Sequence, residues 1–304
     1  MRIGAFELDE PLPELRRPHV ITSLRPWVDA GSVGTLALGR LERHLGAQDL
    51  GSLATPGNYF DFTRYRPLAY NVEGKRRLNV PNTYVRWATG ERDYDFILLH
   101  LLEPHGFAEE YIDSVVALME HLKVERYCRI GGMYDAVPHT RPLLVGGSLN
   151  GQDLAVPGVT SGRRTPYQGP TSIMNIVGDR VAETGIENMT LMVRLPQYVQ
   201  LEDDYTGSAH LLSILSSVYG FPSELGVSRR GTRQYERVTA QMERNSGVKA
   251  LVEQLETDYD ARMESVSEES DPPPLSPSVE QFLRDLGTDT DSPPSSPDQP
   301  PAWN

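Results

Sequence analysis

Between two prolines, Pro138 and Pro142, the chain sets His139, Thr140 and Arg141 side by side. An imidazole that titrates near neutrality and a fork-shaped cation, on a loop stiffened at both ends, suit the grip of a carboxylate or phosphate. The anion can belong to a small ligand or to a partner's acidic side chain. With carboxylates near by, the same groups can do acid–base work on an anionic substrate. Asp29, Asp61 and Arg66 are the further members of such a rim. The plainer alternative is that Arg141 pairs internally, with Asp29 or Asp61, and holds a sheet edge together. Gly31-Ser32-x-Gly34 follows a strand and opens a helix, so its backbone N–H groups could hold an anion; the bland reading is close helix-to-sheet packing.

Other chemistries find less support. The seven histidines are scattered and no Cys or His pair stands at ligand spacing, so no metal and no cofactor are expected. His44, His121 and His210 fall on helices, in solvated or capping roles. Cys128 is the single cysteine, in a strand where a free thiol behaves as a small buried hydrophobe. No G-x-S-x-G elbow, P-loop or G-x-G-x-x-G is present. The sequence leaves enzymatic activity undecided and leans against it.

To position these residues, short apolar runs alternate with amphipathic segments, the pattern of an α/β fold. Its expected form is three layers, a mostly parallel sheet flanked by helices. Strands are expected near 20–24, 50–54, 68–72 and 83–87, with a turn at 79–82 between the last two. Asp95 to Leu102 reads as a buried strand. Tyr111, Val115, Leu118 and Leu122 line a helix that returns to a strand ending in Gly131-Gly132, so that the loop 133–141 would start at a strand's carboxyl end, where ligands sit in such sheets. Strands near 143–145 and 189–195 and helices over 171–182 and 208–219 follow. Two more helices, broken near Asn245-Ser246-Gly247, come after Arg230. The domain reading is an α/β domain over 1–222, a helical extension over 223–266 and a disordered acidic tail rich in Pro and Ser over 267–304. Within the tail, Val279, Phe282, Leu283 and Leu286 could form one short amphipathic helix.

Of 304 residues, 42 are Asp or Glu and 29 Lys or Arg, a net charge of −13. Residues 251–304 hold 13 acids against two bases, so the body before them is close to neutral. Basic runs stay short, as at Lys75-Arg76-Arg77 and Arg229-Arg230, and neither nucleic acid nor a membrane is an expected partner. The N-terminus lacks a signal-peptide core, no apolar stretch reaches spanning length, and one cysteine fits a reducing compartment. The expected location is cytoplasmic.

Five motifs in order resemble the PAC2 family, whose eukaryotic and archaeal members are proteasome assembly chaperones. They are Trp27-Val28-Asp29-Ala30-Gly31, the Tyr59 to Pro67 region, Gly131-Gly132 with Pro138 to Pro142, Tyr167 to Ser172, and Pro196-Gln197-Tyr198. Val28 stands where many members have Asn, and Gln197 where many have His. The resemblance implies a phosphorylase- or peptidyl-tRNA-hydrolase-like α/β fold, an actinobacterial type of member, and a homo-oligomer, a trimer among the options. It also implies a protein-binding, non-catalytic role. Family activators end in a hydrophobic-Tyr-X tripeptide that inserts between proteasome α subunits. Ala302, Trp303 and Asn304 resemble it, with Trp for Tyr, which makes the proteasome core particle the implied partner. Small-molecule binding at the His139/Arg141 rim is one alternative. An oligomeric scaffold, packed through an apolar stripe at Val248, Leu251, Leu255 and Tyr259, is the other.

Overall fold

The computed structural model describes residues 1–161 and 169–270. Two compact units divide the chain, Met1–Thr257 and Asp258–Asn304. Tyr167 and Gln168, the segment 279–286, and Ala302, Trp303 and Asn304 lie outside the described residues.

In chain order the elements are β1 (Arg2–Ile3), β2 (Phe6–Leu8), β3 (His19–Arg25), α1 (Val33–Leu45), β4 (Gln48–Leu53), β5 (Leu68–Val72), β6 (Lys75–Asn79), β7 (Tyr84–Ala88), β8 (Phe96–Leu102), α2 (Ala108–His121), β9 (Arg126–Asp135), β10 (Val145–Leu149), β11 (Gln152–Asp153), β12 (Val159–Ser161), α3 (Ile173–Glu183), β13 (Glu187–Pro196), α4 (Tyr205–Tyr219), α5 (Arg229–Met242) and α6 (Ser246–Ser270). The large sheet runs β1-β2-β4-β7-β8-β3-β9-β13-β10-β11, with β12 beside β10. Its centre, β8-β3-β9-β13, is parallel, and the strands outside it join antiparallel except β12, which runs parallel to β10. This is the mixed α/β sheet, flanked by helices, that the apolar runs imply.

The central strands bury both faces, which explains the apolar run Phe96 to Leu99 and the apolar residues on both faces of β3, β9 and β13. Val20, Leu24, Ile97, Leu99 and Tyr127 pack with Tyr111, Val115 and Val177 of α2 and α3. Ile21, Leu98, Cys128 and Ile130 point the other way, onto Leu38 and Leu41 of α1 and Leu211 and Leu215 of α4. Residues i and i+1 therefore feed opposite cores, and the layers number three. Cys128 is fully buried, opposite Ile21 of β3 and Met189 of β13.

Three expectations need correction. The strand does not end at Gly131-Gly132 but continues to Asp135. The glycines are there because the turn before α1 rests on them: a Cβ at Gly131 would lie 2.1 Å from the Val28 carbonyl oxygen, and one at Gly132 would lie 2.4 Å from Val33 Cγ2. The turn following β5 is not at 79–82. Glu73 and Gly74, both at positive φ, close a tight hairpin into β6, which the basic run Lys75-Arg76-Arg77 disguised as loop. The strand expected near 143–145 lies instead at Val145–Leu149, β11 and β12 follow it, and a small N-terminal hairpin, β1-β2, went unread. Among the described residues no helix is long and apolar enough to cross a membrane.

Candidate functional site

Asp29 sits just past β3, bridged to Gly132 of β9, and is nearly buried. Its carboxylate accepts the N–H groups of Gly34 (2.7 Å) and Thr35 (3.2 Å) and the Thr35 hydroxyl (2.6 Å). It thus caps α1, and burial pushes its pKa up against those bonds. Gly31, at φ 58°, meets the segment before α4: its carbonyl accepts the Asp204 N–H at 2.7 Å, and a Cβ there would strike Asp204 Cβ. Asp204 in turn caps α4 through Gly207 N–H (2.8 Å) and accepts the Tyr235 hydroxyl (2.9 Å). Burial raises its pKa as well. Asp29, Gly31, Gly131 and Gly132 therefore come together, and what they build is a tight junction of two helix starts with β9.

His139 lies on the same side but is taken up by other partners. Its backbone N–H donates to Tyr198 Oη (2.9 Å), and its Nδ1 is 2.7 Å from the same oxygen. Nε2 is 3.2 Å from Thr239 Oγ1, whose proton goes to the Tyr235 carbonyl (3.0 Å). One assignment satisfies every atom: Tyr198 donates to Nδ1, Nε2–H donates to Thr239, and the ring is neutral. Burial pushes the His139 pKa down, in agreement with that form. Arg141 pairs with neither Asp29 nor Asp61. It reaches Glu256 of α6 at 3.2 Å, and the Thr140 hydroxyl donates to the same carboxylate oxygen. The loop between the two prolines thus holds α5 through His139 and α6 through Thr140 and Arg141.

Asp61 and Arg66 stand apart from this group. Asp61 is exposed beside His105, whose Nδ1 accepts its N–H at 3.1 Å, and the Thr63 hydroxyl and N–H hold its carboxyl below the usual range. Arg66 is exposed in the segment before β5.

The sequence reading missed a cleft of about 430 Å³ next to this network, lined by Thr206, His210, Tyr235 and Thr239 among others. Nε2 of His210 and Oγ1 of Thr206 are buried there without hydrogen-bond partners among the described residues. Burial pushes the His210 pKa down. His210 looked like any polar residue on a helix, and only the packing of α5 against α4 reveals the cleft.

No curated protein matches this sequence. Solved structures do. A Mycobacterium tuberculosis protein of unknown function is 25% identical, with a TM-score of 0.75 over 89% of this chain and 93% of that one. A PAC2 family protein from Streptomyces avermitilis is 26% identical, with a TM-score of 0.68 over 77% of this chain and 99% of its own. A Mycobacterium tuberculosis proteasome-assembly chaperone homologue, 22% identical, has a TM-score of 0.65 over the same shares, 77% and 99%. The PAC2 family match itself spans residues 23–243. With more than two thirds of its length matched, this chain belongs to the PAC2 family.

Proposed function

We propose that this protein works by binding other proteins, as a homo-oligomeric assembly or accessory factor of the proteasome. The observation that carries the protein-binding part is the β5-β6 hairpin. All ten of its strand residues are exposed, and it forms a two-stranded sheet of its own. Leu68, Tyr70 and Val72 alternate along one face, and Leu78 lies on the other; these four are between 46% and 64% exposed. A lone two-stranded hairpin is marginal in water, and an apolar stripe of this kind is stabilised by contact with another chain. A second copy is the proposed occupant. The proteasome part is supported by family membership and by the likeness to a proteasome-assembly chaperone homologue. Ala302-Trp303-Asn304 supply the proposed anchor, a large aromatic on a long acidic, proline-rich tether that raises its effective concentration at a docking slot.

Light scattering tests the first part: Leu68→Lys with Tyr70→Lys should lower the particle mass to that of a monomer while the folded signal persists. Capture on a purified proteasome core tests the second, and deletion of 302–304 should abolish it. An unchanged mass in the double variant sinks the hairpin reading, and capture indifferent to the deletion sinks the anchor.

A second reading, small-molecule binding beside His139, is favoured by the orphaned Nε2 of His210 in the cleft described above. A metabolite thermal-shift screen in which the wild type shifts and His210→Ala does not would support it.

A further inference from the structure

We propose that the outer face of α5 is a binding cleft for a small ligand carrying two or more linked phosphate groups. Arg229, Arg230, Arg233 and Arg237 line a cleft of about 560 Å³ with Tyr205 and Gln234. All four arginines are exposed. Among the described residues none of the four meets a carboxylate, whereas Arg16, Arg126 and Arg194 each pair with Asp95, Glu187 and Asp135 at 2.6–2.7 Å.

Their placement runs against ordinary helix electrostatics. Arg229 and Arg230 open α5, whose first turn has no acid, so two cations face the positive end of the helix dipole. Arg230, Arg233 and Arg237 follow at i, i+3 and i+7, the spacing at which like charges on one helix face repel. An anion in the cleft relieves both conflicts at once.

The site is also braced. The Arg230 guanidinium carbon lies 3.8 Å from the centre of the Tyr205 ring, a cation–π contact that restrains the side chain. Tyr205 is held by its hydroxyl to Asp203 (2.7 Å) and by its N–H to Gln234 Oε1 (3.1 Å), and Gln234 Nε2 donates to the Asp203 carbonyl (2.7 Å). Tyr205 begins α4, directly after β13, beyond the carboxyl end of the parallel strands, where α/β sheets keep their ligands.

Charge density selects the ligand. Arg229 and Arg237 are about 12 Å apart along the helix axis at 1.5 Å per residue. Four cations over that length match a di- or triphosphate; a peptide would need four carboxylates in the same span. Asp203 and Glu202 lie at one end, near Tyr205, and narrow the positive region to the arginine stripe.

The probe is inorganic tripolyphosphate, titrated calorimetrically into the full-length protein at low and moderate salt. Orthophosphate, a hexaglutamate peptide and a short DNA duplex are the comparison arms. Tripolyphosphate should bind more tightly than all three. Arg233→Ala with Arg237→Ala should weaken it at least tenfold and flatten the salt dependence, while Arg180→Ala, on α3, changes nothing. Because the arginines are exposed and mutually repelling, the double variant should melt no lower than the wild type. The proposal is overturned if millimolar tripolyphosphate gives no heat, if the double variant binds it equally, or if the peptide or the duplex binds better.

Discussion

His19 opens β3 at 6% exposure, stacked on Tyr94 with ring centroids 4.4 Å apart and edge-on to Tyr219 at 5.8 Å. Its Nδ1 is buried with no hydrogen-bond partner among the described residues. Burial, with the Arg126 charge second, pushes its pKa from 6.5 down to about 4. The folded protein therefore holds the ring neutral, while the unfolded chain protonates it near 6.5. The stabilisation is present in full above pH 6.5 and is lost as the pH falls toward 4. Linkage gives a loss of about 2 kcal/mol between pH 7.5 and pH 5.0, rising to about 3.4 kcal/mol once both states are protonated. His19→Phe keeps a ring against Tyr94 and removes the titration. Urea unfolding followed by circular dichroism at the two pH values reads the effect. At an m value of about 3 kcal/mol/M the wild-type midpoint should fall about 0.7 M further than the variant's. His139 and His210, also pushed down by burial, titrate in both proteins and cancel in the comparison. Equal losses in the two proteins would refute the reasoning.

Two further outcomes follow from the junction beneath α5. Tyr198→Phe removes the one hydroxyl that serves both the backbone N–H and Nδ1 of His139, and should cost about 1–3 kcal/mol in thermal unfolding; an unchanged melting temperature would mean those groups are solvated. Gly131→Ala places a Cβ 2.1 Å from a backbone oxygen and should cost more than about 2 kcal/mol, whereas Gly74→Ala, at the open hairpin tip with φ 76°, should cost about 1. The ranking fails if both substitutions cost the same.

The central strands were legible because burial on both faces writes them as apolar runs, as in Phe96 to Leu102. The β5-β6 hairpin was half hidden. With neither face buried against the body, nothing forces alternation on Lys75 to Asn79, and charge alone reads as loop. The residues around the site were legible by type but not by partnership. His139 and Arg141 meet Thr239 and Glu256, 100 and 115 positions away, and no local spacing encodes such pairs. The arginine stripe of α5 was seen only as the dipeptide Arg229-Arg230, because Arg233 and Arg237 join it through helical periodicity. Gly131-Gly132 marked a true landmark but misled about its nature: glycine there admits a neighbouring backbone instead of ending the strand.

Cys128 gives the molecule a built-in clock. The chain's single thiol lies at the centre of the sheet with β3 on one side and β13 on the other, and burial pushes its pKa up to about 12. No reagent can reach it, and no thiolate forms, while those strands stay paired. The rate at which an alkylating agent consumes it therefore counts how often the central strands part, with no label added and no other thiol to confuse the count.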